Sequence, residues 1–171
     1  FKSSAKSFGL LHPEQRNLYC SMKLSPFTFR LMLLRILPLA FIAGLRLVRV
    51  DQKACHVRLR YGYLTQNPFR SIYFAALAMA AEMCSGLPAL LFLRRSKLNS
   101  SMLVTEMTSV YHKKAVGTIT FMFEEVAALE AAIRAAVDAP DGRTFDAVSK
   151  GYNVQGECVA TFTVRWSFRK R

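Results

Sequence analysis

Acidic residues are scarce in this 171-residue chain, with 11 Asp and Glu against 24 Lys and Arg and a formal net charge of +13. The shortage is uneven. Residues 1–100 hold 15 basic residues against 3 acidic ones, while residues 101–171 hold 9 against 8. Such a field attracts anions, including phosphorylated cofactors, anionic lipid and nucleic acid, without selecting among them. The chain lacks any module interleaving aromatic and basic residues in the manner of a nucleic-acid reader, so no nucleic-acid partner is expected. Metal-ligand motifs are lacking too. Cys20, Cys55, Cys84 and Cys158 are scattered, as are His12, His56 and His112, and neither a CxxC pair nor HExxH occurs. No metal site is expected, and the dispersed cysteines fit a reducing, cytoplasmic setting. The apolar run at residues 26–45 is interrupted by Arg30 and Arg35 and broken by Pro38, which argues against a membrane span.

What is present is enough apolar material, 52% of residues, for one domain with a real core. Residues 1–21 are rich in Ser and Lys, hold one acid (Glu14) and show no amphipathic period. They are expected to form a flexible basic arm, either of transit-peptide-like composition or an extension ahead of a start at Met22. Residues 22–171 are expected to form the single domain. Ser25 offers an N-cap and Pro26 suits the first helical position, which predicts a helix to about Leu37. Its expected role is packing on the domain rather than lying on an anionic membrane face.

Two strand-like runs follow at residues 45–50 and 53–61, joined at Asp51-Gln52. In the second, Cys55, Val57, Leu59 and Tyr61 alternate with polar positions, so one face is apolar and His56 falls on the exposed one. Asn67-Pro68 then reads as the opening of a central helix over residues 73–85, closed by Gly86 and Pro88. Ala75, Ala76, Ala78, Ala80 and Ala81 allow close approach, and apolar residues on nearly every side predict burial. Strands are predicted at residues 102–112, 116–124, 143–150 and 157–168, with a helix over 126–137. Turns fall at Gly117, Pro140-Asp141-Gly142 and residues 153–156. The order is helix, two strands, long helix, two strands, helix, two strands, an α+β pattern. A lone buried helix among six mostly antiparallel strands needs a curved sheet wrapped around it, which is the hotdog fold.

The opening MKLSPFTFRLML, the Asn67 to Glu82 spacing and the stretch TEMTSVYHKKAVG (105–117) resemble the hotdog superfamily of acyl-thioester enzymes, in particular a thioesterase-like branch of uncharacterised function. The resemblance covers residues 22–169. Thioesterases of that superfamily carry Asn, then a residue such as His six positions later, then Asp or Glu fifteen after the Asn. Here Asn67 and Glu82 match, Tyr73 takes the histidine place, and Arg70 and Ala75 replace usual glycines.

The resemblance implies an acyl-CoA or acyl-carrier thioester as substrate, with CoA only as part of that substrate and no further cofactor. It also implies a homodimer or dimer of dimers. Fifteen positions on one helix span roughly 22 Å, too far for one thioester carbonyl, so Glu82 of one subunit would meet Asn67 of another. In that site N–H groups near Ile72 to Phe74 would hold an oxyanion, Asn67 would position the carbonyl or water, and Glu82 would act as general base or nucleophile. Tyr73 would donate a hydrogen bond. Arg70 lies beside this tip, and Lys113 and Lys114 would meet phosphates, with Arg94, Arg95 and Lys97 as a second patch. Plainer readings stand beside these: an interface or salt-bridged carboxylate, a helix cap, a core or pocket-lining tyrosine and a solvated turn. The functional alternative is a protein that binds acyl-CoA or fatty-acyl groups without hydrolysis.

Overall fold

The Ser25 hydroxyl accepts the Thr28 N–H at 3.1 Å and opens helix α1, Pro26–Ile36, as its place before proline predicts. The computed structural model describes residues 24–139 and 141–171, so the expected arm at 1–21 and Pro140 of the second turn lie outside the described residues. Helix α1 turns Phe29 and Leu33 inward. Pro38 ends that helix and at once begins a short second one, α2 (Pro38–Ile42), because proline is as well suited to a first helical position as it is hostile to an interior.

Strands β1 (Arg46–Val50) and β2 (Cys55–Arg60) form the expected hairpin. Asp51 Oδ1 accepts the N–H groups of Lys53 and Ala54 at 2.8 and 3.0 Å and so holds the turn. The remaining elements are α3 (Phe74–Ser96), β3 (Ser100–Tyr111), β4 (Thr118–Phe123), α4 (Val126–Asp138), β5 (Arg143–Tyr152) and β6 (Cys158–Lys170). The six strands form one antiparallel sheet in the order β1-β2-β4-β5-β6-β3, and α3 lies in its curve. The fold is the α+β hotdog expected.

Side-chain size across the sheet decides how closely α3 approaches. Strands β2, β4 and β6 fill the concave face with Val57, Leu59, Ile119, Phe121, Phe162 and Val164, all buried. On β5 the buried inward positions, Ala147, Ser149 and Gly151, are small. Ser149 Oγ donates to the Ala81 carbonyl at 3.0 Å, and a β-carbon at Gly151 would stand 2.8 Å from the Phe121 ring. Ala80 and Ala81 are the matching small residues of the helix, both fully buried. Thus the alanine run fixes where backbone meets backbone.

Helix α3 does not stop at Gly86 and Pro88. It continues to Ser96 and is closed by Lys97 in the left-handed conformation, φ 51°. An internal Gly and Pro cost about 1 and 3 kcal/mol. Leu87, Phe92 and Leu93, buried beyond that point, each return about 1.5–3 kcal/mol, so packing overrides propensity. Gly86 is there for space: a β-carbon would stand 3.1 Å from the Trp166 ring. By length and composition α3 is apolar enough to cross a membrane, but 72% of its most apolar window is buried as the core helix.

His56 also departs from expectation. It is half-buried opposite Arg49 in the β1–β2 register, and its Nε2 has no hydrogen-bond partner among the described residues. Burial, then the Arg49 charge, holds its pKa below the usual histidine value. The two sheet edges differ. Strand β3 is long and largely exposed, whereas β1 is short and carries Arg46 and Arg49.

Candidate functional site

The loop ahead of α3 is organised by Asn67. Its Oδ1 accepts from the Phe69 N–H at 3.0 Å, the Ser71 N–H at 3.2 Å and the Ser71 hydroxyl at 3.1 Å. Its own N–H donates to the Ser71 carbonyl, and the Arg70 N–H donates back to the Asn67 carbonyl at 3.1 Å. Asn67 therefore caps this tight loop and not the central helix, a correction to the sequence expectation. The N-cap of α3 is Tyr73, which makes no side-chain cap bond. Closing the loop forces Arg70 to φ 56°, a left-handed conformation suited to glycine.

The oxyanion donors also need revision. The Ile72 N–H donates to the Ala115 carbonyl at 2.8 Å and the Tyr73 N–H to the Thr65 carbonyl at 2.7 Å. Both are spent on backbone. Phe74 and Ala75, the first two helical residues, have N–H groups with no acceptor among the described residues. Phe74 lines a cavity of about 600 Å³ walled also by Asn67, Tyr73, Tyr111, His112 and Lys114 among others. Tyr73 is 46% exposed with its ring 4.6 Å from that of Phe74, so it borders the cavity and does not belong to the core.

The two lysines of the β3–β4 turn differ. Lys113 Nζ lies 2.5 Å from Glu157 Oε1, and Asn153 Nδ2 donates to the same carboxylate at 2.9 Å. Lys114 has no ion pair among the described residues and is the freer cation. His112, which sequence reasoning set aside as one of three dispersed histidines, stands in this cavity wall with Nε2 3.0 Å from Thr161 Oγ1. Its one sequence signal is adjacency to the lysine pair.

Glu82 lies elsewhere. It borders a separate cavity of about 220 Å³ formed with Ile36, Leu37, Leu39, Met79 and Met83, beneath the α1–α2 junction. The carboxyl has no hydrogen bond or ion pair among the described residues, and burial pushes its pKa up to about 7. Ala75, Ala78, Met79 and Glu82 are half-buried at helical spacing, and form the side of α3 that the sheet leaves least covered. Within one chain Asn67 and Glu82 thus serve different cavities. Arg94, Arg95 and Lys97 lie at the far end of α3 from Asn67, and Arg95 pairs with Glu130 at 3.4 Å. Among the described residues no group of three His, Cys, Asp or Glu could hold a metal ion.

A curved six-stranded sheet in this strand order around one buried helix defines a hotdog-fold protein. More narrowly, the chain belongs to the family described as Domain of unknown function (DUF4442), which matches residues 27–167. No curated protein matches it in sequence. Among solved structures, it is similar to a Pseudomonas aeruginosa protein of unknown function described as "Probable Thioesterase", with 19% identity, 94% of this chain and 97% of that one covered, and a TM-score of 0.64. A Chlorobaculum tepidum protein of unknown function shares 15% identity over 86% of this chain and 98% of its own, with a TM-score of 0.71. A Haemophilus influenzae thioesterase shares 7% over 87% and 93%, at 0.64. At these identities the likeness is one of fold.

Proposed function

We propose that the chain is an acyl-thioester hydrolase acting on acyl-CoA or an acyl carrier as a cytoplasmic homodimer, with each site shared between two subunits. The observation that carries this reading is Glu82: a carboxyl without a partner among the described residues, in an apolar cavity on the least-covered side of α3, with a pKa near 7. A base poised there is about half ionised at neutral pH. The thioesterase descriptions of structurally similar proteins give the same direction. Two-fold pairing through the exposed β3 edges runs the α3 helices antiparallel and brings Glu82 of one subunit toward the other's helix tip.

Water, deprotonated by Glu82, attacks the thioester carbonyl. The developing oxyanion is held by the Phe74 and Ala75 N–H groups at the positive end of α3. Collapse of the tetrahedral intermediate breaks the carbon–sulfur bond, and the CoA thiolate recovers the proton from Glu82. Asn67 Nδ2, the amide nitrogen its loop does not use, orients the carbonyl, and the Tyr73 hydroxyl donates a further bond. Lys114, with Lys113 and Arg70 nearby, attracts the CoA phosphates. The reaction needs no cofactor; CoA enters as part of the substrate.

The test is release of free thiol from short, medium and long acyl-CoAs by the purified protein. Turnover that disappears in Glu82→Gln supports the reading, and absence of turnover across the panel rejects it. The second reading, acyl-CoA binding without hydrolysis, is favoured by one observation: Tyr73 stands at the position where the superfamily's thioesterases carry a histidine. Tight equilibrium binding with no thiol released selects it.

A further inference from the structure

Helices α1 and α2 present an apolar surface that nothing described in the chain covers. Phe27, Leu31 and Leu34 recur at i, i+4 and i+7 along α1 and are 77%, 49% and 50% exposed. Leu37, Leu39 and Ile42 continue the surface onto α2, with Leu39 at 66%. The inward stripe, Phe29 and Leu33, is fully buried, so α1 is apolar on two sides and only one of them is used by the core. At 100° per residue, Arg30 and Arg35 fall on opposite flanks of the outward stripe. Arg30 is fixed there over the Phe41 ring at 4.5 Å.

The segment that carries this surface is strongly basic, and the nearest acid beneath it, Glu82, lies in the cavity under the α1–α2 junction. Residues 24–60 hold Arg30, Arg35, Arg46, Arg49, Lys53, Arg58 and Arg60 against the single acid Asp51, which is paired with Arg49 at 2.6 Å. A second copy placed on this face by two-fold symmetry would set arginine against arginine. An anionic bilayer complements both features: headgroup phosphates meet the flanking arginines while the apolar stripe enters the boundary with the acyl layer. Strand β3 lies at the far edge of the sheet from β1, so docking here leaves that edge unobstructed.

We infer that the outward face of α1 and α2 docks the protein on an anionic phospholipid surface. The inference rests on these two helices and holds whether or not Glu82 hydrolyses a thioester. Flotation of the purified chain with phosphatidylcholine vesicles, with and without phosphatidylserine, across a salt series tests it. Co-flotation is expected with phosphatidylserine and is weakened by salt. Leu31→Glu with Leu34→Glu abolishes it, while Arg35→Gln with Arg46→Gln weakens it by roughly tenfold or more and flattens the salt dependence. Unchanged melting curves show that the variants are folded, since all four side chains are exposed. No flotation at low salt overturns the inference, as does flotation indifferent to Leu31 and Leu34. So does a shift from dimer to monomer in the leucine variant without vesicle binding, which assigns the face to a second copy.

Discussion

Glu82 Oε1 lies 2.8 Å from the point a β-carbon would occupy at Gly86, one helical turn along α3, with the Trp166 ring 3.1 Å from the same point. The glycine therefore sets where the carboxyl can rest. Gly86→Ala gains about 1 kcal/mol of helix propensity but pushes the flexible Glu82 side chain aside and crowds Trp166. The expected outcome is a melting temperature within a few degrees of the parent and thiol release reduced tenfold or more. A variant that keeps full turnover would show that carboxyl position is unimportant.

The pKa of Glu82 makes stability depend on pH. Burial raises it from 4.5 to about 7, so between those values the folded chain keeps a proton that the unfolded chain releases. Stability contributed by the protonated form is full below pH 4.5 and is lost as pH rises through 7, by roughly 3 kcal/mol in all. Glu130, pushed to about 7 by burial, adds a loss of the same sign. Denaturant melts at pH 5 and pH 8.5 should show the parent losing more stability than Glu82→Gln, while the rate of the parent rises with pH to a plateau above 7.

Arg70 carries its loop's conformational strain. A left-handed non-glycine residue costs about 1–2 kcal/mol, and glycine's extra unfolded-state entropy offsets about 0.5–1 of the relief. Arg70→Gly should raise the melting temperature slightly, and Arg70→Val should lower it. If both variants melt alike, the strain is not stored at this position.

Lys113 and Lys114 should separate in kinetics. Lys113 is held by Glu157 and Lys114 is not. Lys114→Ala should raise KM for acyl-CoA several-fold with little change in kcat, and Lys113→Ala should have the smaller effect. Added salt should shrink the difference, because point-charge attraction to phosphate is screened.

Pairing through β3 predicts that charge on that edge separates the subunits. Leu103 and Val110 are 63% and 57% exposed there. Leu103→Lys with Val110→Lys should shift sedimentation toward the monomer and reduce thiol release in parallel. Activity that persists in a clean monomer would rule out a shared site.

The sequence displayed what local rules govern. The alternation of Cys55, Val57 and Leu59 gave the buried face of β2, Ser25-Pro26 marked the start of α1, and strand order specified the wrapped helix. What escaped was decided by contacts remote in the chain. Gly86 and Pro88 look like a stop until one knows that Trp166 and the sheet surround them. Asn67 before Pro68 has the features of a helix cap, yet the Arg70 turn lets it cap its own loop instead. Lys113 meets a carboxylate 44 residues away, and no pattern near Glu82 announces that Ile36, Leu37 and Leu39 will roof it.

The unequal edges of the sheet limit how the molecule can grow. Strand β3 offers a long run of unused amides and carbonyls, and a strand laid against it finds a register of many rungs. At the opposite margin a five-residue strand with a register shift and two guanidinium groups gives an incoming chain little to hold. In the proposed dimer, a ribbon with one receptive border and one guarded border is extended once and then stops, giving a closed pair and not a fibre.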